Sequence, residues 1–508
     1  MNGVILFNPR SAEHKHRIPN SILQVGASIE GTREYVFVDG NRERDPWGVI
    51  EGYLRSGRFR YFGCTVMPGP QLRQAIPFSK RVREAHPHVI TIWGGYFAAN
   101  QYRSVLGSGF VDHVIDGPGD QAFPELLAAL DNGNSVDHVL NLIHHKGGTI
   151  VRNAKAALQD LDLLPALPYA RLDRHYPLGQ YLGRTFLGSR TIAYHSSFGC
   201  PFTCGFCAVV PIYNARWKGM SAERMHRDIL HLKKGWGADA IEFHDNNFFV
   251  SEKRTVEFAR LIAPEGMGWW GEGRIDTLDR YSDDSLALMR DAGCRMIFFG
   301  AESGDDAELQ RMEKGGTQSG EQILRFAARM QRFGIIPEYS FVLGFPAATE
   351  KEVLTRIDRD IAFIRRVKEA NPATEIIIYV YSPVAVEGSE LYERTKAAGF
   401  KFPERLEDWL DPAWEKFDLR KNPLTPWLTP AAVDRIRDFE TVLNGRYPTV
   451  SDIKLTPLRR RALSSLSALR YRTGMHRWPY EIKALQKLWR YRQPEIEGPE
   501  ILPTPADR

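Results

Sequence analysis

The chain lacks the long apolar runs that cross membranes. Its longest, around Ile376–Val380 and Met296–Gly300, are strand-sized, far short of the ~18 residues a spanning helix needs. Met1–Arg10 has no charged start, apolar stretch and small-residue cleavage site, so no signal peptide is read and a cytoplasmic chain is expected. Cysteine is scarce, with five in 508 residues. An odd count, with Cys200, Cys204 and Cys207 clustered and only Cys64 and Cys294 elsewhere, excludes a secreted disulfide framework. It points to a metal site in a reducing compartment. There is no phosphate-binding P-loop, and no complete Gly-x-Gly-x-x-Gly follows the first strand. No fixed-period repeat or low-complexity tract is found. Excess charge is small, +5 overall, and Ser451–Arg508 holds 12 Lys/Arg against 6 Asp/Glu. The bulk of the chain is therefore no nucleic-acid binder by charge, and the basic character belongs to the tail.

At 43% hydrophobic and 25% charged, the composition is that of an average globular protein, and the length asks for two or three domains. Residues 1–150 alternate strand-like runs with helical ones. The strands are Val4–Phe7, Glu34–Val38, Phe59–Val66, Val89–Trp93 and Val111–Ile115. The helices between and after them are Ser21–Ile29, Trp47–Arg55, Leu72–Ala85 and Gln121–Asp131. This α/β pattern predicts a doubly wound, flavodoxin-like parallel sheet with ligands beyond the carboxyl ends of its strands. Those ends are rich in glycine, at Gly94–Gly95 and Gly117–Pro118–Gly119. Prolines in Leu163–Pro168 oppose regular structure, so 151–185 reads as a linker. From 186 to 400 six βα repeats predict a (β/α)6-type partial TIM barrel, with strand ends near His195, His244, Gly271, Gly300, Gly344 and Ser382. Residues 401–508, with Trp409, Trp414, Trp427, Trp478 and Trp489 scattered among prolines and arginines, read as a mostly helical region.

The segment Gly199–Cys207 holds Cys-x3-Cys-x2-Cys. Thiolates are the natural ligands of iron–sulfur clusters, and three on one loop can hold three irons of a cubane and leave the fourth open. Phe198, Phe202 and Phe206 can exclude water around it. A structural zinc site is the alternative, but zinc wants four closed ligands, usually from two spaced pairs, and only His195 is near.

The spacing, with Phe206 directly before the last cysteine, resembles the radical S-adenosylmethionine (radical SAM) superfamily. That resemblance implies a 4Fe–4S cluster on Cys200, Cys204 and Cys207 whose open iron chelates SAM. One electron then splits SAM into methionine and a 5′-deoxyadenosyl radical, and an external one-electron reductant such as flavodoxin or ferredoxin is implied. Later segments resemble the family's strand-end motifs. His244–Asp245–Asn246–Asn247 stands where the family binds the SAM amino group. Gly273–Arg274–Ile275–Asp276 ends the next strand. Gly300–Ala301–Glu302–Ser303–Gly304 resembles Gly-x-Glu-Ser-Gly, whose polar pair, Glu302 and Ser303, lies near SAM. Leu343–Gly344–Phe345–Pro346 ends the fifth strand, where the backbone approaches adenine.

Residues 1–150 resemble the cobalamin-binding domain that precedes the barrel in one class of that superfamily. The matching pieces are Phe37–Asn41, Trp93–Gly95 and Val111–Asp120, with Pro118 and Asp120 departing from the usual Gly-Glu-Gly-Glu. The cobalamin cradle is expected at Gly94, Gly95, Gly117 and Gly119. Asp-x-His-x-x-Gly, which replaces the lower base of cobalamin in methionine synthase relatives, is absent. His14 and His16 read as solvated loop histidines, and the corrin is expected to lack histidine ligation. A flavodoxin-like module with no cofactor is the alternative.

Cobalamin beside a SAM radical site implies methylation of an unactivated carbon in a small-molecule or lipid-like substrate. The alternatives are oxidative cyclisation or rearrangement of the anaerobic porphyrin cyclase type, and a non-enzymatic cobalamin sensor. Methylthio transfer needs a second cysteine triad, and only Cys64 is available. In the tail, Leu458, Leu463, Leu466 and Leu469 interleave with Arg459, Arg460, Arg461, Arg470 and Arg472, and Ile482–Arg492 repeats the style. The expectation is leucines packed on the barrel with solvated arginines. Peripheral contact with anionic lipid is the other reading.

Overall fold

The computed structural model describes residues 2–11, 17–312, 318–382, 390–412, 414, 425–489 and 491. Short runs of Val, Ile, Phe and Tyr, buried on both faces, become the strands of a first sheet. These are β1 (Gly3–Asn8), β2 (Tyr35–Asp39), β3 (Phe59–Thr65), β4 (Ile90–Gly94) and β5 (His113–Ile115). They pair in parallel in the order β2-β1-β3-β4-β5, the expected doubly wound order. Helices Asn20–Ile29 and Gly119–Asp131 cover one face, and Pro46–Arg55 and Leu72–Ala85 the other.

Sequence reading missed an antiparallel extension, β6 (Leu142–Lys146) with β7 (Thr149–Arg152). Its turn is Gly147–Gly148, both at positive φ (56° and 80°), a two-residue hairpin signal that stood in the sequence. The segment expected as a linker thus begins inside β7. It is not a loose tether either. Tyr181 Oη donates to Asp39 Oδ2 (2.6 Å) and Tyr176 Oη to Glu43 Oε1 (2.7 Å) on the first sheet. On the other side Arg224 Nη1 donates to the Leu164 carbonyl (2.8 Å).

The second sheet is a parallel, open partial barrel. It runs β8 (Thr191–Tyr194), β11 (Ala240–Phe243), β12 (Gly268–Gly273), β13 (Cys294–Glu302), β14 (Ile336–Leu343) and β15 (Glu375–Val380), in that spatial order. Five helices on its outside each start on a hydroxyl cap: Ser221, Ser251, Ser282, Ser319 and Thr349 accept from the backbone N–H three residues on. Such caps satisfy donors that a helix start leaves open. Between β8 and β11 a small ribbon, β9 (Ser197–Gly199) with β10 (Trp217–Gly219), brackets the cysteine loop.

Helices Pro430–Arg446, Pro457–Thr473 and Tyr480–Trp489 follow. The tail expectation needs correction. Leu463 is buried, but Leu458, Leu466, Leu469 and Leu488 are exposed. Helix Pro457–Thr473 buries the stripe Leu463, Ser467 and Tyr471 instead, and its remaining leucines fall on the opposite side.

Gly199 sits at φ 76°, and a Cβ there would lie 2.1 Å from the Arg216 carbonyl. Gly199→Ala should therefore pull β9 from β10 and destabilise the protein by roughly 1–3 kcal/mol, read from the chemical-denaturation midpoint.

Candidate metal and cofactor site

The cysteine loop leaves the C-terminal end of β8, where a parallel barrel presents its chemistry. Cys204 is buried, and Cys200 and Cys207 are half-buried. Burial raises the Cys200 thiol above its ordinary pKa. Inside the loop Cys207 N–H donates to the Cys204 carbonyl (3.0 Å), and Gly205 N–H to the Met312 carbonyl (3.0 Å). Among the described residues no three His, Cys, Asp or Glu side chains converge on one ion-sized point. A cubane does not require this, because it gives each thiolate its own iron.

The motif after β11 is built around the loop. Asp245 is fully buried, and its Oδ1 accepts from Ser196 N–H (3.0 Å), Ser196 Oγ (2.9 Å) and Ser197 Oγ. Asp245 Oδ2 and Asn247 Oδ1 are buried without a hydrogen-bond partner. Unsatisfied buried acceptors are costly and need an explanation, and a bound cationic or N–H-bearing group supplies one. Asn247 Nδ2 stands 4.0 Å from Cys200 Sγ. Two residues that sequence reading passed over complete this framework. Arg254 is buried and donates to the carbonyls of Met220 (2.7 Å), Phe248 (3.2 Å) and Ser196 (3.1 Å), and to Ser196 Oγ (2.5 Å). Trp217 Nε1 donates to the Asn247 carbonyl (3.2 Å).

The other expected residues divide. Arg274, expected with SAM, has its Nη1 3.1 Å from Cys204 Sγ, forms a two-point pair with Asp276 (3.0 and 2.9 Å) and lies 3.9 Å from the Phe202 ring centre. Glu302 is buried at φ 64°, where the β13–β14 register shifts. Positive φ in a charged residue at a strand-end bulge is the kind of strain that clusters at binding sites. Ser303 Oγ lies 3.2 Å from Asp360 Oδ1 and accepts from Asp305 N–H (3.1 Å), so it braces the turn. Gly304 lies so close to Phe363 that a Cβ would come within 2.1 Å of that ring. Phe206 packs half-buried against the core. Gly344 is at φ 91°, its carbonyl accepts from Trp427 Nε1 (3.0 Å), and Phe345 lies against Tyr381 (ring centres 5.1 Å). The segment around Trp427 thus covers the end of β14, a contact invisible at the sequence level.

On the first sheet, Gly95 at φ 92° would bring a Cβ within 2.7 Å of the Val66 carbonyl, and Gly117 at φ 140° lies against Asn141. Gly94 and Gly119 flank them. Next to Gly119, Asp120 is buried with Oδ1 unpartnered, and burial pushes its carboxyl up to about 6. His14 and His16 lie outside the described residues.

The two sets of strand ends meet. Tyr96, next to Gly95, donates from Oη to Asn246 Oδ1 (2.7 Å), and Asn100 Nδ2 donates to the Ala208 carbonyl (3.2 Å), one residue past Cys207. Asn20 Nδ2 donates to the Ala193 carbonyl (3.1 Å), and Arg17 lies 2.9 Å from His244 Nε2. His195 is exposed, and the density of its surroundings lowers its pKa. Burial and the Arg17 guanidinium beside it hold the His244 imidazole down to about 4.

The sequence profile of the radical SAM superfamily matches residues 194–359. An uncharacterized methyltransferase of Pyrococcus horikoshii is 30% identical over 340 residues, 66% of this chain and 71% of that protein. The anaerobic magnesium-protoporphyrin IX monomethyl ester cyclase of Synechocystis sp. is 26% identical over 279 residues, 54% of this chain and 53% of the cyclase. Among solved structures, the radical SAM methyltransferase TsrM of Kitasatospora setae, with tryptophan and a SAM analog bound, superposes with a TM-score of 0.66. The identity is 16%, over 96% of this chain and 99% of TsrM. The chain belongs to the radical SAM superfamily.

Asp120 also makes a pH prediction. Its folded-state pKa is raised above 3.8, so the native state holds the proton more tightly than the unfolded chain. Stability is full below about pH 4 and declines as pH rises to about 6. Asp120→Asn should stabilise the cofactor-free protein by about 3 kcal/mol at pH 8 and by little at pH 4, measured by urea unfolding at the two pH values.

Proposed function

We propose that this protein is a cobalamin-dependent radical SAM methyltransferase acting on a small polar substrate held between its two sheets. In this reading Cys200, Cys204 and Cys207 hold a 4Fe–4S cluster, and the unpartnered Asp245 Oδ2 and Asn247 Oδ1, with Asn246 and Glu302, orient SAM over it. Gly94, Gly95, Gly117 and Gly119 let a corrin approach the first sheet. Bound there, the cluster supplies the single electron that cleaves SAM, and cobalamin supplies the methyl group. A soluble one-electron donor is needed to reduce the cluster.

The observation that carries the reading is the seat of the Gly94–Asn100 turn on the cysteine loop and on Asn246. It brings the glycine-rich strand ends of the first sheet beside the cysteine loop, which supports a shared reaction space closed to water. Polar groups stand on the barrel strands. Arg17 pairs with Glu242 (3.7 Å), and Trp270 Nε1 donates to Glu338 Oε2 (3.1 Å). Such groups suit a hydrogen-bonding substrate better than a bare hydrocarbon. The donor set also assigns Arg274 a part. Its N–H aimed at Cys204 favours the more negative, reduced cluster and raises the reduction potential, while Asp276 offsets part of that charge.

The similarity to the anaerobic cyclase supports a second reading, ring closure without methyl transfer. Product mass spectrometry with methyl-labelled SAM separates the two. Methylation requires label in the product together with deoxyadenosine and S-adenosylhomocysteine, whereas deoxyadenosine alone favours cyclisation. The triple variant Cys200→Ala/Cys204→Ala/Cys207→Ala should take up almost no iron or sulfide on anaerobic reconstitution, and Cys64→Ala should match the parent. In redox titrations followed by electron paramagnetic resonance, Arg274→Gln should lower the cluster's midpoint potential and Asp276→Asn should raise it. A purely structural pair would shift both in one direction.

A further inference from the structure

The two helices near the C-terminus present an unusual surface. Thirteen large apolar side chains are exposed among the described residues, and nine of them lie between Val450 and Leu488. The arrangement is periodic. Leu458, Ala462, Leu466, Leu469 and Thr473 recur three or four residues apart and share one side of helix Pro457–Thr473, opposite buried Leu463, Ser467 and Tyr471. The outward leucines are 77%, 44% and 61% exposed at Leu458, Leu466 and Leu469. In helix Tyr480–Trp489, Tyr480, Ala484 and Leu488 make a second outward row at four-residue spacing. Between the helices Trp478 is exposed at φ 52°, with its N–H held by Asp438 Oδ2 (2.8 Å). A strained turn that pushes a tryptophan into solvent calls for a use.

Charge says what that use is. Between residues 450 and 489 there are nine Lys/Arg against two Asp/Glu. Some are committed internally, as Arg470 to Glu481 and Lys483 to Asp438. Arg459, Arg461, Arg472 and Lys487 form no ion pair with a described residue and are exposed. On the helical projection Arg459 borders one side of the leucine row, and Arg461 and Arg472 the other. A second copy of this chain would bring cations against cations. Nucleic acid would satisfy the arginines and leave the leucines wet.

We propose that the face formed by helices Pro457–Thr473 and Tyr480–Trp489 docks on an anionic lipid surface. Leu458, Leu466, Leu469 and Leu488 enter the headgroup boundary, and the flanking arginines contact lipid phosphates. Among the described residues no helix is long and apolar enough to cross a membrane, so the contact lies in the interface plane. The proposal is independent of the chemistry assigned to the cofactor site.

The test is flotation of the full-length holoenzyme with vesicles of phosphatidylcholine alone and of phosphatidylcholine with phosphatidylglycerol. Partition should be at least about tenfold greater on the anionic vesicles and fall with added salt. Leu458→Ser/Leu469→Ser should lower anionic partition by about tenfold, and Arg459→Glu/Arg461→Glu should remove the preference for anionic lipid. All four side chains are at the surface, and an unchanged circular dichroism melt checks folding. Equal partition on both vesicles, no flotation at low salt, or binding unmoved by the leucine variant would overturn the proposal. So would a dimer, seen by analytical ultracentrifugation, that the leucine variant dissolves, since the face would then serve self-association.

Discussion

Beneath the cysteine loop lies a buried ionic knot on which the site depends. Asp245, just past β11, and Arg254, on the helix that follows it, reach across to meet on the same serine, Ser196, the second residue past β8. Neither charge could be buried alone, since an isolated buried ion costs several kcal/mol. Together with four backbone acceptors and donors they fix where the chain must turn to begin the loop. The barrel's hydrophobic effect assembles six strands without regard to such detail, because apolar packing has no direction. Hydrogen bonds do have direction, and here they translate strand order into the position of three thiols.

The second constraint is the seating of one sheet on the other. Contact with the barrel sets the glycine-rich strand ends of the first sheet beside the cysteine loop. Much of the apolar core runs without a break from helices Asn20–Ile29 and Gly119–Asp131 through the connector into the barrel. Polar contacts at the strand ends, Tyr96 to Asn246 and Asn20 to the Ala193 carbonyl, then set the register of the two. Tyrosines of the connector grip Asp39 and Glu43, so the linker works as a brace. A rigid seat of this kind is what two cofactors need if their reacting atoms are to stay aligned.

Several local costs sit at the strand ends. Glu302 holds a positive φ, Asp120 keeps a carboxyl group where water cannot reach it, and Asp245 and Asn247 bury unpaired oxygens. Each would be relieved by a blander residue. Costs of this kind are tolerated where a ligand relieves them.

Sequence by itself determined a good deal. Alternation of apolar runs with helical spacing placed the eleven parallel strands to within a few residues, because a strand buried on both faces must be apolar throughout. The Cys-x3-Cys-x2-Cys spacing marked the loop, because thiolates that share a cluster must be close along the chain. Arg254 read only as part of a helix, and Trp427 only as one of several scattered tryptophans, for their partners are 58 and 83 residues away. Arg274 was expected among the cofactor contacts, and its approach to Cys204, 70 residues away, appears only in the folded chain. The tail's leucines were expected inside, yet Leu458, Leu466, Leu469 and Leu488 are exposed, since two apolar rows on one helix look alike in sequence. Which row is buried depends on the surface it meets, and that surface exists only once the barrel has formed.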